Sequence, residues 1–202
     1  MRNISSIKLV AVSIIISVCT ILSSHNAYAA AYTYCGTEME EDRNPQLNSV
    51  VDQEFASIPL SIREKFISDG WGYAVIKKGE IDRTYNLVAP GYYQDGVTDP
   101  NVKKIYIDGT QRSLGVLYHE IGHYIDDNVG CCNSSSEEFL RIFKNEGTTL
   151  GDYGATNNEE FFAEVVYSFF TDPEGTKEKC PYAYAYVYRV IRDFDKLSDT
   201  RI

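Results

Sequence analysis

The chain has 202 residues, with 19 Lys and Arg against 29 Asp and Glu, giving a formal charge of −10 and no basic stripe. Nucleic-acid binding and adhesion to anionic membranes are thereby excluded as expectations. The length suffices for one domain with a proper core and falls short of two ordinary ones.

The first segment reads as an export signal. Met1-Arg2-Asn3 with Lys8 is a cationic start, Leu9 to Leu22 is an apolar run of about 14 residues, and Ala27-Tyr28-Ala29 offers small residues for cleavage. That run is short of the roughly 20 residues needed to cross a bilayer, and no later one is longer, so no membrane insertion is expected. Cleavage near Ala29 leaves a secreted domain of residues 30–202, and the loss of Arg2 and Lys8 takes its charge to −12. His25 and Cys19 leave as well. The remaining cysteines are Cys35, Cys131, Cys132 and Cys180. Vicinal cysteines rarely bond to each other, so disulfides from Cys131 and Cys132 to Cys35 and Cys180, in open order, are expected.

Asn44-Pro45 starts a helix carrying Leu47, Val50, Val51 and Phe55, and Pro59 to Asp69 carries Ile62, Phe66 and Ile67 in a second, stopped by Gly70. Trp71 to Lys77 reads as a strand ending at the Lys78-Gly79 turn, and Tyr85 to Val88 as another. Pro90 to Pro100 reads as a loop, and Lys103 to Asp108 as a strand. The rest is helical. Leu114, Leu117, Tyr118, Ile121 and Ile125 form one stripe closed by Gly130. Ser134 with Glu137, and Thr156 with Glu159, read as capping boxes opening two more helices, the second stopped at Asp172-Pro173. Val187, Val190, Ile191, Phe194 and Leu197 mark the last helix. The expected class is α+β: a single domain with a small mixed sheet and a helical C-terminal half.

Chemistry concentrates in His119-Glu120-Ile121-Gly122-His123, an HExxH motif. Four residues on a helix advance by about 400°, so the two imidazoles project from one side and can grip one metal ion. Two neutral imidazoles and a carboxylate with one open position suit Zn2+, one per chain, which brings a water's pKa down toward about 7. Glu120, beside the first ligand, is placed to take that water's proton and hand it to the leaving amine. Gly122 lets another element pack close. No other histidine exists in the exported chain. Asp126 and Val129 replace the glycine and third histidine of HExxHxxGxxH, which excludes the metzincins. The third ligand must then be a carboxylate, and Glu159 to Glu164 is the source. Glu160 and Glu164 share one helix face, whereas Glu159 reads as a first-turn acid favoured by the helix dipole.

From Leu117 to Glu164 the chain resembles the catalytic domain of anthrax toxin lethal factor and its smaller secreted relatives, the Pro-Pro endopeptidases. The resemblance is carried by His119 to Asp127, Phe139 to Gly147, Tyr153-Gly154, Asn157 and Glu160-Phe161-Phe162-Ala163-Glu164. It implies a zincin-like fold with an edge strand beside the HExxH helix. It implies zinc on His119, His123 and Glu160, with Glu120 as general base. Tyr153 would bond the oxyanion, and Glu164 would orient a zinc histidine. The strand holding Lys103, Ile105 and Ile107, just before the metal helix, could pair with an extended substrate backbone.

The expected function is a secreted zinc metalloendopeptidase acting on an extended peptide or protein, with a monomer the favoured state and a host-directed toxin among its possible uses. The alternative is a catalytically silent lethal-factor-like binding module of a toxin. Such a copy is free to lose Glu120 or a ligand, and here all are present. A structural surface protein would show repeats or an anchoring tail, and neither is visible.

Overall fold

The computed structural model describes residues 39–85, 94–110, 115–130 and 132–199. The signal segment, Cys35, Cys131, Leu114 and the stretch Asn86–Val88 of the second expected strand lie outside them. Among the described residues no helix is long and apolar enough to cross a membrane.

Helices α1 (Pro45–Ser57) and α2 (Leu60–Ser68) precede strand β1 (Gly72–Ile76). Asn44 caps α1 by accepting from the Gln46 and Leu47 amides, with Pro45 at a position that needs no N–H. A short helix α3 (Glu80–Tyr85) follows, so Tyr85 ends a helix where the β-propensity of its neighbours suggested a strand. Strands β2 (Gly96–Asp99) and β3 (Lys104–Asp108) complete a sheet of order β1-β3-β2, with β1 parallel and β2 antiparallel to β3. Then come α4 (Val116–Asn128), a 3-10 turn (Asn133–Ser135), α5 (Glu137–Glu146), α6 (Asn158–Thr171), α7 (Pro173–Lys179) and α8 (Pro181–Asp199). The fold is α+β with a small mixed sheet and a helical C-terminal half.

The edge strand beside the HExxH helix is β2, within the stretch read as a loop, and not Lys103–Asp108. Strand β3 is paired on both sides, which leaves no backbone groups for a substrate. Ile105 and Ile107 are fully buried in the main core. Lys103 lies in the preceding turn with φ 53° and donates from Nζ to the Asp69 carbonyl at 2.7 Å.

Both capping boxes shift. Ser136, not Ser134, caps α5, its hydroxyl accepting from the Phe139 amide at 3.1 Å. Asn157, not Thr156, caps α6, its Oδ1 accepting from the Glu160 amide at 2.8 Å. In each case the cap sits where its side chain reaches an amide three residues on. Among the described residues no disulfide forms: Cys180 is a buried free thiol that donates to the Thr176 carbonyl at 3.2 Å. Burial pushes that thiol up to about 11, and Cys35 and Cys131 of the expected pairings lie outside the described residues.

The main core lies between α4, α6 and the helices around them. Phe139, Phe161, Phe162, Ile121, Tyr124 and Val165 are fully buried there. Across the sheet a smaller cluster of Ile76, Ile81, Tyr85, Val97 and Tyr106 closes the other face.

Candidate metal centre

Helix α4 is buried on nearly every side: Leu117, His119, Glu120, Ile121, Gly122, Tyr124, Ile125 and Asp126 are all buried. It packs on α6 through Gly122. A Cβ there would lie 2.7 Å from Ala163 Cα, closer than real Cβ contacts come, and a tight 3.2 Å from its carbonyl oxygen. The glycine therefore sets the interhelix distance, and that distance decides which α6 side chains reach the histidines.

Asn157 fixes which they are. With α6 starting at Asn158, Glu160 is the third helical residue, its amide capped and its side chain turned toward α4. Glu160 Oε2 lies 3.2 Å from His119 Nε2 and 3.5 Å from His123 Nε2, and the two Nε2 atoms are 3.2 Å apart. These three residues form a group that could hold a metal ion, with all ligand atoms within 4.8 Å of one another. Two imidazole nitrogens and one carboxylate oxygen are the donor set of a catalytic zinc site with one position open.

Burial works to lower the His119 pKa, but the Glu160 and Glu164 carboxylates outweigh it and hold the imidazole up at about 10. His123 is raised too, burial being outweighed chiefly by Glu160. Burial acts to raise Glu160 in turn, yet the two imidazoles hold it well below the usual carboxylate range. Ligand protons must leave before a metal binds. Glu164 Oε1 stands 3.0 Å from His119 Nδ1, close in distance though without the alignment of a full hydrogen bond.

The cluster opens into a cleft of about 390 Å³, lined among others by Gly96, Thr98, Glu120, Asp126, Tyr153 and Glu159. Glu120 is buried, and its Oε2 accepts from the Thr98 hydroxyl at 2.7 Å. The Tyr153 ring is half exposed, its centroid 5.6 Å from that of His119. Glu159 is more than a first-turn acid, since it lines the cleft, where burial and then the Asp126 carboxylate raise its pKa. Asp126 is itself raised by burial, while its Oδ1 accepts from the Ser134 amide at 2.7 Å.

The fold thus gathers His119, Glu120, His123, Tyr153, Glu160 and Glu164, and leaves Lys103, Ile105 and Ile107 away from the cleft. Missed in the sequence were Gly96 and Thr98. The alternation Gly96-Val97-Thr98-Asp99 after the Asp95-Gly96 turn signal could have revealed their strand, but four residues between loops carry little periodicity.

Comparison with known proteins bears on this arrangement. The family described as anthrax toxin lethal factor, N- and C-terminal domain, matches residues 82–190, which hold α4, α6 and both cleft walls. Lethal factor of Bacillus anthracis is 35% identical over 87 residues, covering 36% of this chain and 11% of that much longer protein. The Pro-Pro endopeptidase PPEP-2 of Paenibacillus alvei superposes with a TM-score of 0.61 at 19% identity, covering 74% of this chain and 93% of that one. With the fold shared and the matched segment spanning the whole cluster of His119, His123 and Glu160, the chain belongs to the anthrax toxin lethal factor family.

Proposed function

We propose that this protein is an exported zinc metalloendopeptidase. The observation that carries the reading is the meeting of His119, His123 and Glu160 in one triangle, His119 and Glu160 buried and His123 half-buried at the cleft, with Glu120 one residue from the first of them and facing the cleft. When bound, zinc supplies Lewis acidity and an acidified water. His119, His123 and Glu160 would hold the ion. Glu164 steadies the His119 ring from its Nδ1 side.

An extended peptide lies along β2, the sheet edge at the cleft, and so meets Gly96 and Thr98 before the catalytic groups. Glu120 takes the proton from the attacking water and delivers it to the leaving amine, which makes one carboxylate base and acid in turn. Tyr153, at the open side of the His119 ring, donates its phenol proton to the hydrogen bond that steadies the developing oxyanion. The buried Ile121 and Phe161 behind the site keep these groups in place and bulk water out. The export signal over residues 1–29 and the domain over residues 30–202 fit a protease that works outside the cell.

The test is direct. The exported form, purified and loaded with zinc, is incubated with an internally quenched peptide library, with and without a chelator. Bound zinc near one per chain and chelator-sensitive cleavage are expected. Cleavage that persists in metal-free protein would refute the mechanism, and zinc binding without cleavage would favour the silent binding module.

A further inference from the structure

Strand β2 alternates faces as a strand must: Val97 and Asp99 are buried on one side, Val97 in the small outer cluster and Asp99 under the Tyr85 hydroxyl at 2.8 Å. Gly96 and Thr98 therefore share the other side, toward α4. Both meet the same side chain there. The Thr98 hydroxyl lies 2.7 Å from Glu120 Oε2 and 3.0 Å from the Glu120 carbonyl oxygen. One proton serves one acceptor at a time, and the carboxylate is both the shorter and the stronger partner. At Gly96 an added Cβ would lie 2.7 Å from Glu120 Oε1, 3.0 Å from its Cγ and 2.5 Å from Val116 Cγ1. The carboxylate is thus held at Oε2 by a hydroxyl and rests with Oε1 against bare strand backbone.

We infer that β2 positions the general base: Thr98 is a positioning residue that fixes the Glu120 carboxylate, and Gly96 supplies the space it occupies. The inference rests on the reading of Glu120 as the base. With Oε2 engaged, Oε1 is the oxygen left to accept and return the proton. The same strand is the cleft edge along which the substrate is proposed to lie, so substrate docking and base orientation share one element.

The experiment compares Thr98→Val, Thr98→Ser and Gly96→Ala with wild type, each zinc-loaded, on one quenched peptide that wild type cleaves. Thr98→Val keeps shape and loses the donor, so kcat should fall roughly 10–100-fold with KM and zinc content unchanged. Thr98→Ser, which keeps the hydroxyl, should restore most of kcat, and Gly96→Ala should depress it. If Thr98 merely packs, the order reverses: Val retains activity and Ser loses it, which overturns the inference. A readout independent of turnover is the 13C resonance of the Glu120 carboxyl, assigned with Glu120→Gln. It should move in Thr98→Val and return in Thr98→Ser, and an unmoved resonance overturns the contact. A wild type that binds zinc and cleaves nothing defeats the protease reading, and the resonance then decides the Thr98 contact by itself.

Discussion

The two walls of the cleft are built on opposite principles. The helical wall, α4 against α6, is packed to contact: Gly122 leaves no room beside Ala163, and Ile121, Ile125, Phe161, Phe162 and Val165 behind it are fully buried. The strand wall is four residues long, backed among the described residues by a cluster of five buried side chains, and holds the Glu120 carboxylate by one hydroxyl and one missing Cβ. Close packing permits only discrete arrangements, so the placement of His119, His123 and Glu160 is over-determined, and changes there should disturb the fold together with the proposed metal site. On the strand wall a single polar contact sets an orientation, so changes there should alter rate and leave the fold alone.

The largest break in this contrast is expected at Glu160. Glu160→Ala removes the only α6 oxygen that approaches both imidazole Nε2 atoms, and most zinc affinity should go with it. Metal content after dialysis measures this, and a variant that keeps its zinc would move the ligand role to another acid. Next, Glu120→Ala should retain zinc and thermal stability while kcat falls on the order of 10²–10⁴-fold, the usual contribution of a positioned base. Undiminished turnover would point to a different proton acceptor in the cleft.

A smaller effect isolates the helical wall from the chemistry. Gly122→Ala forces the helices apart against a backbone contact, and overpacking of this kind costs roughly 1–3 kcal/mol. Calorimetry should show a lowered Tm together with weaker zinc binding, whereas Thr98→Val should change neither. An unshifted Tm would mean that the α4–α6 spacing is not set at this glycine.

The gentlest probe is pH. Since His119 is held up at about 10, zinc must displace its proton at neutral pH, and apparent affinity should drop about tenfold per unit of acidification for that proton. The metal-free fold should respond in the opposite sense. A raised histidine pKa stabilises fully below the ordinary value of 6.5, and that stabilisation is lost as the pH rises through about 10. Zinc titrations at several pH values, paired with melting of the metal-free protein, check both slopes.

Reading the sequence alone succeeds where periodicity and chemistry act over a few residues. His119 and His123 share a face because four residues nearly close a helical turn. The α4 stripe and the helices bounded by Pro45 and by Asp172-Pro173 follow from 3.6 residues per turn and the preference of caps and prolines for helix ends. The reading slips by one or two residues at the caps, from Ser134 to Ser136 and from Thr156 to Asn157, because several adjacent side chains could each accept an N-terminal amide.

What only the tertiary structure decides is which elements become neighbours. Strand β3 has the stronger pattern, yet its place in the middle of the sheet removes it from the cleft and leaves Ile105 and Ile107 in the core. The weakly patterned Gly96–Asp99 takes the edge, because strand order depends on pairings between distant segments that no local window contains. Gly122 announces a close approach in the sequence, but that Ala163 fills it, and that Glu160 is thereby carried within 3.5 Å of both histidines, follows only from the packing of α4 on α6.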